Sequence, residues 1–369
     1  MNSIIGKTNV IATLLIVFIL LACSSDETKT ETENESETET TTSGLGNGLT
    51  NAATVTTCNS ESGFAKILCL ANAFKATLNA SQIATLQRAY SISVAKSSWS
   101  NLPGVQGRVG LRFEVLTNEQ ISYAKALIQA ASGTGTSEGY NEINGLLAAD
   151  ETLGGNSYGS GLYYIAFHGT PSATNKWELQ FGGHHLAFAN TYSNGALVGA
   201  TPSFRGIEPF NEFTYDGVTY SPVNQERDAF ATMLQSLSTT ELTTAKLSGI
   251  FSDILAGPGS DNVFPSTASG LQVGTLSTAK QTLVLNAIKT YVEDIDSENA
   301  ASILLNYTNE LANTYIAYSG TTAVASQNDY VRIDGPSVWI EFSMQRGVVY
   351  SPNHPHSVWR DKTNDYGGN

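Results

Sequence analysis

Apolar residues along the chain follow two rhythms, one helical and one alternating. Four segments open on the same local pattern: Leu78-Asn79-Ala80-Ser81-Gln82, Leu116-Thr117-Asn118-Glu119-Gln120, Leu237-Ser238-Thr239-Thr240-Glu241 and Leu276-Ser277-Thr278-Ala279-Lys280. In each, a short polar side chain can accept from the free N–H groups of a first helical turn, and the leucine before it can staple onto that turn. Gln82, Gln120 and Glu241 stand where a side chain reaches back to complete a capping box, whereas Lys280 cannot do so. Apolar residues at helical spacing follow, as at Ile121, Ala124, Leu127 and Ile128, and again at Leu283, Leu285, Ile288, Tyr291 and Val292. The intervals between these starts are irregular and the segments between them differ in kind, which argues against a solenoid.

The segments 163–167, 177–181, 185–192, 196–198, 314–318, 330–333 and 338–342 are rich in aromatic and β-branched residues and bounded by Gly, Pro or Asn, so they are predicted strands. Asn194-Gly195 is a hairpin turn signal and makes part of the sheet antiparallel. Glycine-rich stretches at 131–139, 154–161 and 256–274 predict long loops. The expected class is α+β: one large domain with a mixed, largely antiparallel sheet and several capped helices.

The N-terminus breaks from this pattern. Lys7 precedes an apolar run from Val10 to Leu21 that is too short to span a bilayer comfortably. It ends in Leu20-Leu21-Ala22-Cys23, which resembles the lipobox of bacterial lipoproteins. The resemblance implies that residues 1–23 are a signal peptide and that the Cys23 thiol carries diacylglycerol. The acidic Ser24-Ser25-Asp26-Glu27 resembles a signal for surface display. Seven acids and one lysine crowd residues 24–56 with almost nothing apolar beside them, so this stretch is expected to be a disordered tether, leaving 57–369 as the folded domain. The expected setting is the cell envelope, anchored in lipid, at the outer membrane and exposed on its surface.

The formal charge of −14, less the single leader lysine and the net −6 of the tether, leaves −9 on the domain. That sign, with no basic cluster anywhere, excludes nucleic acid as a partner. With Cys23 lipidated, Cys58 and Cys69 remain; in an oxidising compartment the pair reads as a disulfide at the start of the first helix, because a separation of eleven fits no common zinc pattern.

Chemistry concentrates in the histidines. Of the five, four fall in two tight pairs, His184-His185 and His354-Pro355-His356. In an extended segment, residues two apart share a face, so His354 and His356 can aim at one point. Extended His184 and His185 would face opposite ways, so His185 is the expected ligand and His184 the spare member, unless Gly182-Gly183 bends the backbone. Alternation places Glu341 and Trp339 on one face of a strand and Val338, Ile340 and Phe342 on the other, and a lone acid among such neighbours needs a partner. The candidate set is therefore His184, His185, His354 and His356 for a divalent metal, zinc or copper, with Glu341 as ligand or general base and Arg360 steadying negative charge. Alternatives remain: a metal-free polar pocket, purely structural histidines, or a non-catalytic module capturing metal or carbohydrate. No phosphate loop or free thiol is present to support nucleotide or cysteine chemistry.

The run Tyr163-Tyr164-Ile165-Ala166-Phe167-His168-Gly169-Thr170-Pro171-Ser172, then Trp177 to Leu186 and Thr201-Pro202-Ser203-Phe204-Arg205-Gly206, resembles a bacterial and fungal domain-of-unknown-function family, number three thousand five hundred in that series. So do Asp329 to Pro336, Glu341, His354 to Asp361 and Asn364-Asp365-Tyr366-Gly367. The likeness covers nearly all of 70–369 and implies a single unit in which the two histidine segments belong together. It brings no activity. Position 168 departs from the Phe-Gly-x-Pro-Ser expected there, which speaks against a family-wide role for His168.

Overall fold

The computed structural model describes residues 46–350 and 352–368. The predicted signal peptide, Cys23 and tether residues 24–45 lie outside them. Residues 46–56, assigned by composition to the tether, instead pack on the domain. Gly48 N–H donates to Ser160 Oγ (3.0 Å), the Gly48 carbonyl accepts from the buried Lys125 Nζ (2.9 Å), and Val55 joins the core. The short apolar contribution of this strap was masked by its threonines and asparagines.

The strands are β1 (Gln87–Arg88), β2 (Leu111–Arg112), β3 (Tyr164–His168), β4 (Trp177–Gly183), β5 (Leu186–Ser193), β6 (Ala196–Gly199), β7 (Ser203–Gly206), β8 (Phe213–Tyr215), β9 (Val218–Tyr220), β10 (Leu271–Gln272), β11 (Tyr315–Ser319), β12 (Tyr330–Asp334), β13 (Val338–Gln345) and β14 (His354–Asp361). The helices are α1 (Gly63–Ala76), α2 (Ala80–Leu86), α3 (Ile92–Lys96), α4 (Asn118–Ala130), α5 (Gly139–Leu153), α6 (Asn224–Gln235), α7 (Thr239–Ala245), α8 (Thr278–Val292) and α9 (Ser297–Glu310). One sheet runs β1-β3-β4-β5-β7-β14-β13-β12-β11-β10, with β2 beside β3 and β6 beside β5; β8 and β9 form a separate hairpin. All strand pairs but β1–β3 are antiparallel, so the protein is α+β with a mixed, mostly antiparallel sheet. No helix among the described residues is long and apolar enough to cross a membrane.

Asn79, Thr117 and Ser238 form the expected capping boxes, and Ser277, lacking the acid or amide three residues on, makes no side-chain cap. Their irregular spacing has a simple origin, because the four starts are two elements used twice, about 160 positions apart. Gly110 and Gly270 have φ of 111° and 113°, and a Cβ on either would sit 2.3 Å from the carbonyl oxygen of Ile165 or Ile316 respectively. Leu111 pairs with Ile165 as Leu271 pairs with Ile316. The order α1-α2-β2-α4-α5-β3-β4-β5 thus recurs as α6-α7-β10-α8-α9-β11-β12-β13, and the two copies meet at β7 and β14 in the middle of the sheet.

The two sheet faces are covered differently. Helices shield one face, where Phe230 of α6 meets Phe342 (centroids 5.8 Å apart) and Tyr291 of α8 meets Ser357 (oxygens 2.5 Å apart). On the other face a smaller cluster of Trp99, Ala187, Phe204, Ala256, Trp339, Val358 and Tyr366 lies under irregular segments around 95–108, 250–264 and 364–367. Alternation along β14 puts His354 and His356 on this loop-covered face with Val358. Cys58 and Cys69 are disulfide-bonded, with Cα atoms 5.8 Å apart, tying the turn before α1 to that helix.

Candidate metal centre

Gly183 pairs with Leu186, so His184 and His185 are the whole of a two-residue hairpin turn and not the beginning of a strand. Gly183 has to be glycine, because a Cβ there would lie 2.5 Å from the Tyr163 ring. His185 takes a left-handed φ of 61°, a conformation uncommon for a non-glycine residue and one that clusters at functional sites. Its carbonyl accepts from Gly206 N–H at 2.8 Å, and its own N–H donates to the Asn101 carbonyl at 3.3 Å. The turn overrides the alternation expected of extended backbone: the two rings stack with centroids 3.7 Å apart instead of facing opposite ways.

β14 brings the other pair. His356 lies opposite Gly206 of β7 and opposite Ser343 of β13. His185, His354 and His356 each offer a ring nitrogen within 4.8 Å of those of the other two, and the Nε2 atoms of His185 and His356 face each other at 3.2 Å. His185 and His354 are buried, and His356 keeps 13 % of its side-chain surface. His354 Nδ1 is buried without a hydrogen-bond partner. Burial, and then the neighbouring imidazoles, push the His185 pKa well below its usual value; burial and His356 likewise push His354 down to about 3. Both rings are therefore held neutral with lone pairs available, the state a metal ligand requires.

His184 stands beside this trio, not in it. Its Nδ1 is 2.6 Å from Asp150 Oδ1, and Asp150 in turn accepts from Gly159 N–H at 3.2 Å. Asp150 is buried at the end of α5, so the pair fixes the hairpin turn to the helical layer.

The two carboxylate and guanidinium assignments change. Glu341 does share the face of His356, but all its capacity is taken: it accepts from the N–H groups of Leu255 and Ala256 (2.8 Å each), from Tyr330 Oη (2.6 Å) and from Trp339 Nε1 (2.9 Å). An acid buried there is satisfied by tethering a loop, which leaves it no free oxygen for a base. Arg360 is four residues along β14 from His356, about 13 Å at strand rise. It is fully buried and paired with Asp365 (2.7 Å) and Asp261 (2.5 Å), so it cannot steady charge at the histidines.

The carboxylate that does reach the centre is Asp253, half exposed, whose Oδ1 is 3.0 Å from His356 Nδ1. It sits two residues before the backbone that Glu341 grips. Nothing in its local sequence, Phe251-Ser252-Asp253-Ile254, marks it; only the grip of Glu341 on the loop would have led to it. Gly206 was also missed, though it stands against the rings of both His185 and His356. His168 is buried in β3, three strands away from β7, and Arg205 points to the helical face, where it pairs with Glu142 (2.9 Å) and Asp294 (3.1 Å).

Residues 60–368 match the family model described as "Protein of unknown function (DUF3500)". The chain belongs to this DUF3500 family. No curated protein and no solved structure matches it. The match spans both halves of the fold, so the histidine turn of β4–β5 and the β14 histidines fall within one family unit. The equivalent turn in the second half, Gly335-Pro336-Ser337, carries no histidine, so the centre joins the turn of the first half to β14 of the second.

Proposed function

We propose that this DUF3500 protein is a lipid-anchored envelope protein whose His185, His354 and His356 bind a divalent transition metal, zinc or copper, and present it to a small molecule for hydrolytic or oxidative chemistry. The observation carrying this reading is the 3.2 Å between the Nε2 atoms of His185 and His356. Four ligands at 2.0–2.1 Å around a tetrahedral zinc ion stand about 3.3 Å from one another. Imidazole donors suit zinc and copper and disfavour magnesium or calcium, which select oxygen.

Three protein ligands leave one coordination position for water or substrate, the arrangement of catalytic and not of structural zinc sites. A bound ion would act there as a Lewis acid. Asp253 accepts from His356 Nδ1 and so holds the ring with Nε2 facing inward, as carboxylates behind metal-bound histidines commonly do. The competing reading, passive capture of metal or carbohydrate, is weakened by two features. The donor set is open, and Trp99, Trp177, Trp339 and Trp359 are all buried, which leaves no tryptophan platform for a sugar.

The test is metal analysis of protein purified after equilibration with zinc or copper and gel filtration. One ion per chain is expected, with loss in His185→Ala and in His354→Ala at unchanged circular dichroism. Retention by both variants contradicts the proposal. The lipid anchor is tested separately, by incorporation of labelled fatty acid in the expressing cell and its loss in Cys23→Ser.

A further inference from the structure

Seven of the eleven large apolar side chains exposed among the described residues lie on the three loops that frame the histidine centre. They are Leu102 and Val105, then Ile250 and Leu255, then Val348, Val349 and Tyr350, with relative exposures from 38 % at Tyr350 to 80 % at Ile250. Scattered single apolar residues on a surface need no explanation, but a majority of them carried by the loops joined to one site does. Each loop is joined to the centre. The Asn101 carbonyl, next to Leu102, accepts from His185 N–H; Asp253, between Ile250 and Leu255, meets His356; and the third loop leads directly into His354.

These exposures are held in place by charged groups beneath them. Arg108 donates to the carbonyls of Ser100 (2.8 Å), Gly104 (2.6 Å) and Leu102, closing the first loop on itself. Glu341 grips the second loop through Leu255 and Ala256. Buried Glu208, two residues past Gly206, accepts at one oxygen from the N–H groups of Val348 and Val349 (2.9 Å each) and Tyr350 (2.7 Å). An interior carboxylate spent on fixing three consecutive exposed apolar residues costs desolvation that collapse of the loop would avoid. The arrangement keeps an apolar rim standing around a polar, metal-binding floor.

We infer that the centre takes a molecule with a small metal-coordinating polar head and an apolar body of several carbons, the head meeting the histidines and the body lying on the rim. This rests on the metal reading above and adds the substrate class to it. Recognition of the body is hydrophobic and non-directional, so affinity follows the area covered and not the detailed structure of the chain.

The probes are hydroxamates, whose heads coordinate metals, with tails of increasing length from acetohydroxamate to octanohydroxamate. Binding to the zinc-loaded protein, residues 24–369 with its fold checked by circular dichroism, is measured by calorimetry. A fully buried methylene tightens binding by about fourfold, so partial cover of six should give octanohydroxamate at least a roughly 30-fold advantage over acetohydroxamate. In Ile250→Asp and Val348→Asp that ratio should fall to about threefold or less; both positions are too exposed for the substitution to threaten folding. Acetohydroxamate binding with no gain from the longer tail, or a full gain surviving in both variants, overturns the inference and leaves the metal centre standing. Protein that holds no zinc removes the metal reading and this inference with it, whereas loaded protein that binds no hydroxamate overturns this inference and the open coordination position while metal binding stands.

Discussion

Gly206 offers a perturbation of the centre that replaces no ligand. A Cβ built on it would lie 3.1 Å from Cδ2 of His185, 3.1 Å from Cδ2 of His356 and 3.0 Å from the Pro355 carbonyl oxygen. The carbonyl belongs to β14 and accepts from Ile207 N–H (3.3 Å), so the strand cannot easily withdraw. Relief therefore falls on the two rings, each giving by about 0.3 Å to reach ordinary contact. Metal–ligand distances tolerate about 0.2 Å, so two of three ligands move beyond that range at once. Overpacking of this size costs about 1–3 kcal/mol. If it is carried by the metal-bound geometry, Gly206→Ala should weaken zinc binding by about fivefold to 150-fold. Competition against a fluorescent zinc chelator measures this, and thermal melts of the metal-free proteins separate it from a general loss of stability. Affinity within threefold of the parent, with the whole cost appearing in the metal-free melting temperature, would refute the reasoning.

Other outcomes follow from the buried charges and the cross-link. Glu341→Gln keeps one acceptor oxygen but places an amide NH2 against two of the four donors and should cost about 3 kcal/mol in urea unfolding, while zinc stoichiometry stays at one; loss of the ion would instead make Glu341 a ligand. Burial lifts the Glu178 pKa to about 7. Between its unfolded value of 4.5 and 7 the folded state holds a proton the unfolded state has released, so this group's contribution to stability falls as pH rises through that window. Glu178→Gln should abolish about 3 kcal/mol of stability loss between pH 4.5 and 8, read from urea midpoints, and an unchanged pH profile would contradict the assignment. Replacing Cys58 and Cys69 by Ala opens the covalent loop and should lower stability by about 3 kcal/mol, and mild reduction of the parent should match it.

Much of this fold is written locally. The strand around Trp177, the Asn194-Gly195 hairpin and the capping boxes at Asn79, Thr117 and Ser238 each carry their signal within a few residues, and each forms as expected. The duplication was present as well, in Gly110-Leu111 and Gly270-Leu271 ahead of paired caps, but it is hidden when the four caps are treated as one series. The histidine pairs were legible because imidazoles are scarce in this chain. Two things at the centre were not legible. Gly182-Gly183 allow a bend before His185, but the left-handed φ of His185 and the fit of Gly183 against the Tyr163 ring form only once the strands are assembled. Asp253 reaches His356 only because Glu341, 88 positions further on, holds the intervening loop. Long-range backbone capture leaves no periodic trace, and in sequence a buried acid that grips a loop, as Glu341 grips Leu255 and Ala256, looks the same as one that binds or reacts.

Anomalous diffraction from crystals grown with zinc or copper, recorded on both sides of the metal absorption edge, tests the central claim most directly. The account predicts a single strong peak about 2.0–2.1 Å from one ring nitrogen of each of His185, His354 and His356, with His184 still on Asp150. A peak elsewhere, or a fully loaded crystal in which any of those three rings turns away from the ion, would contradict it.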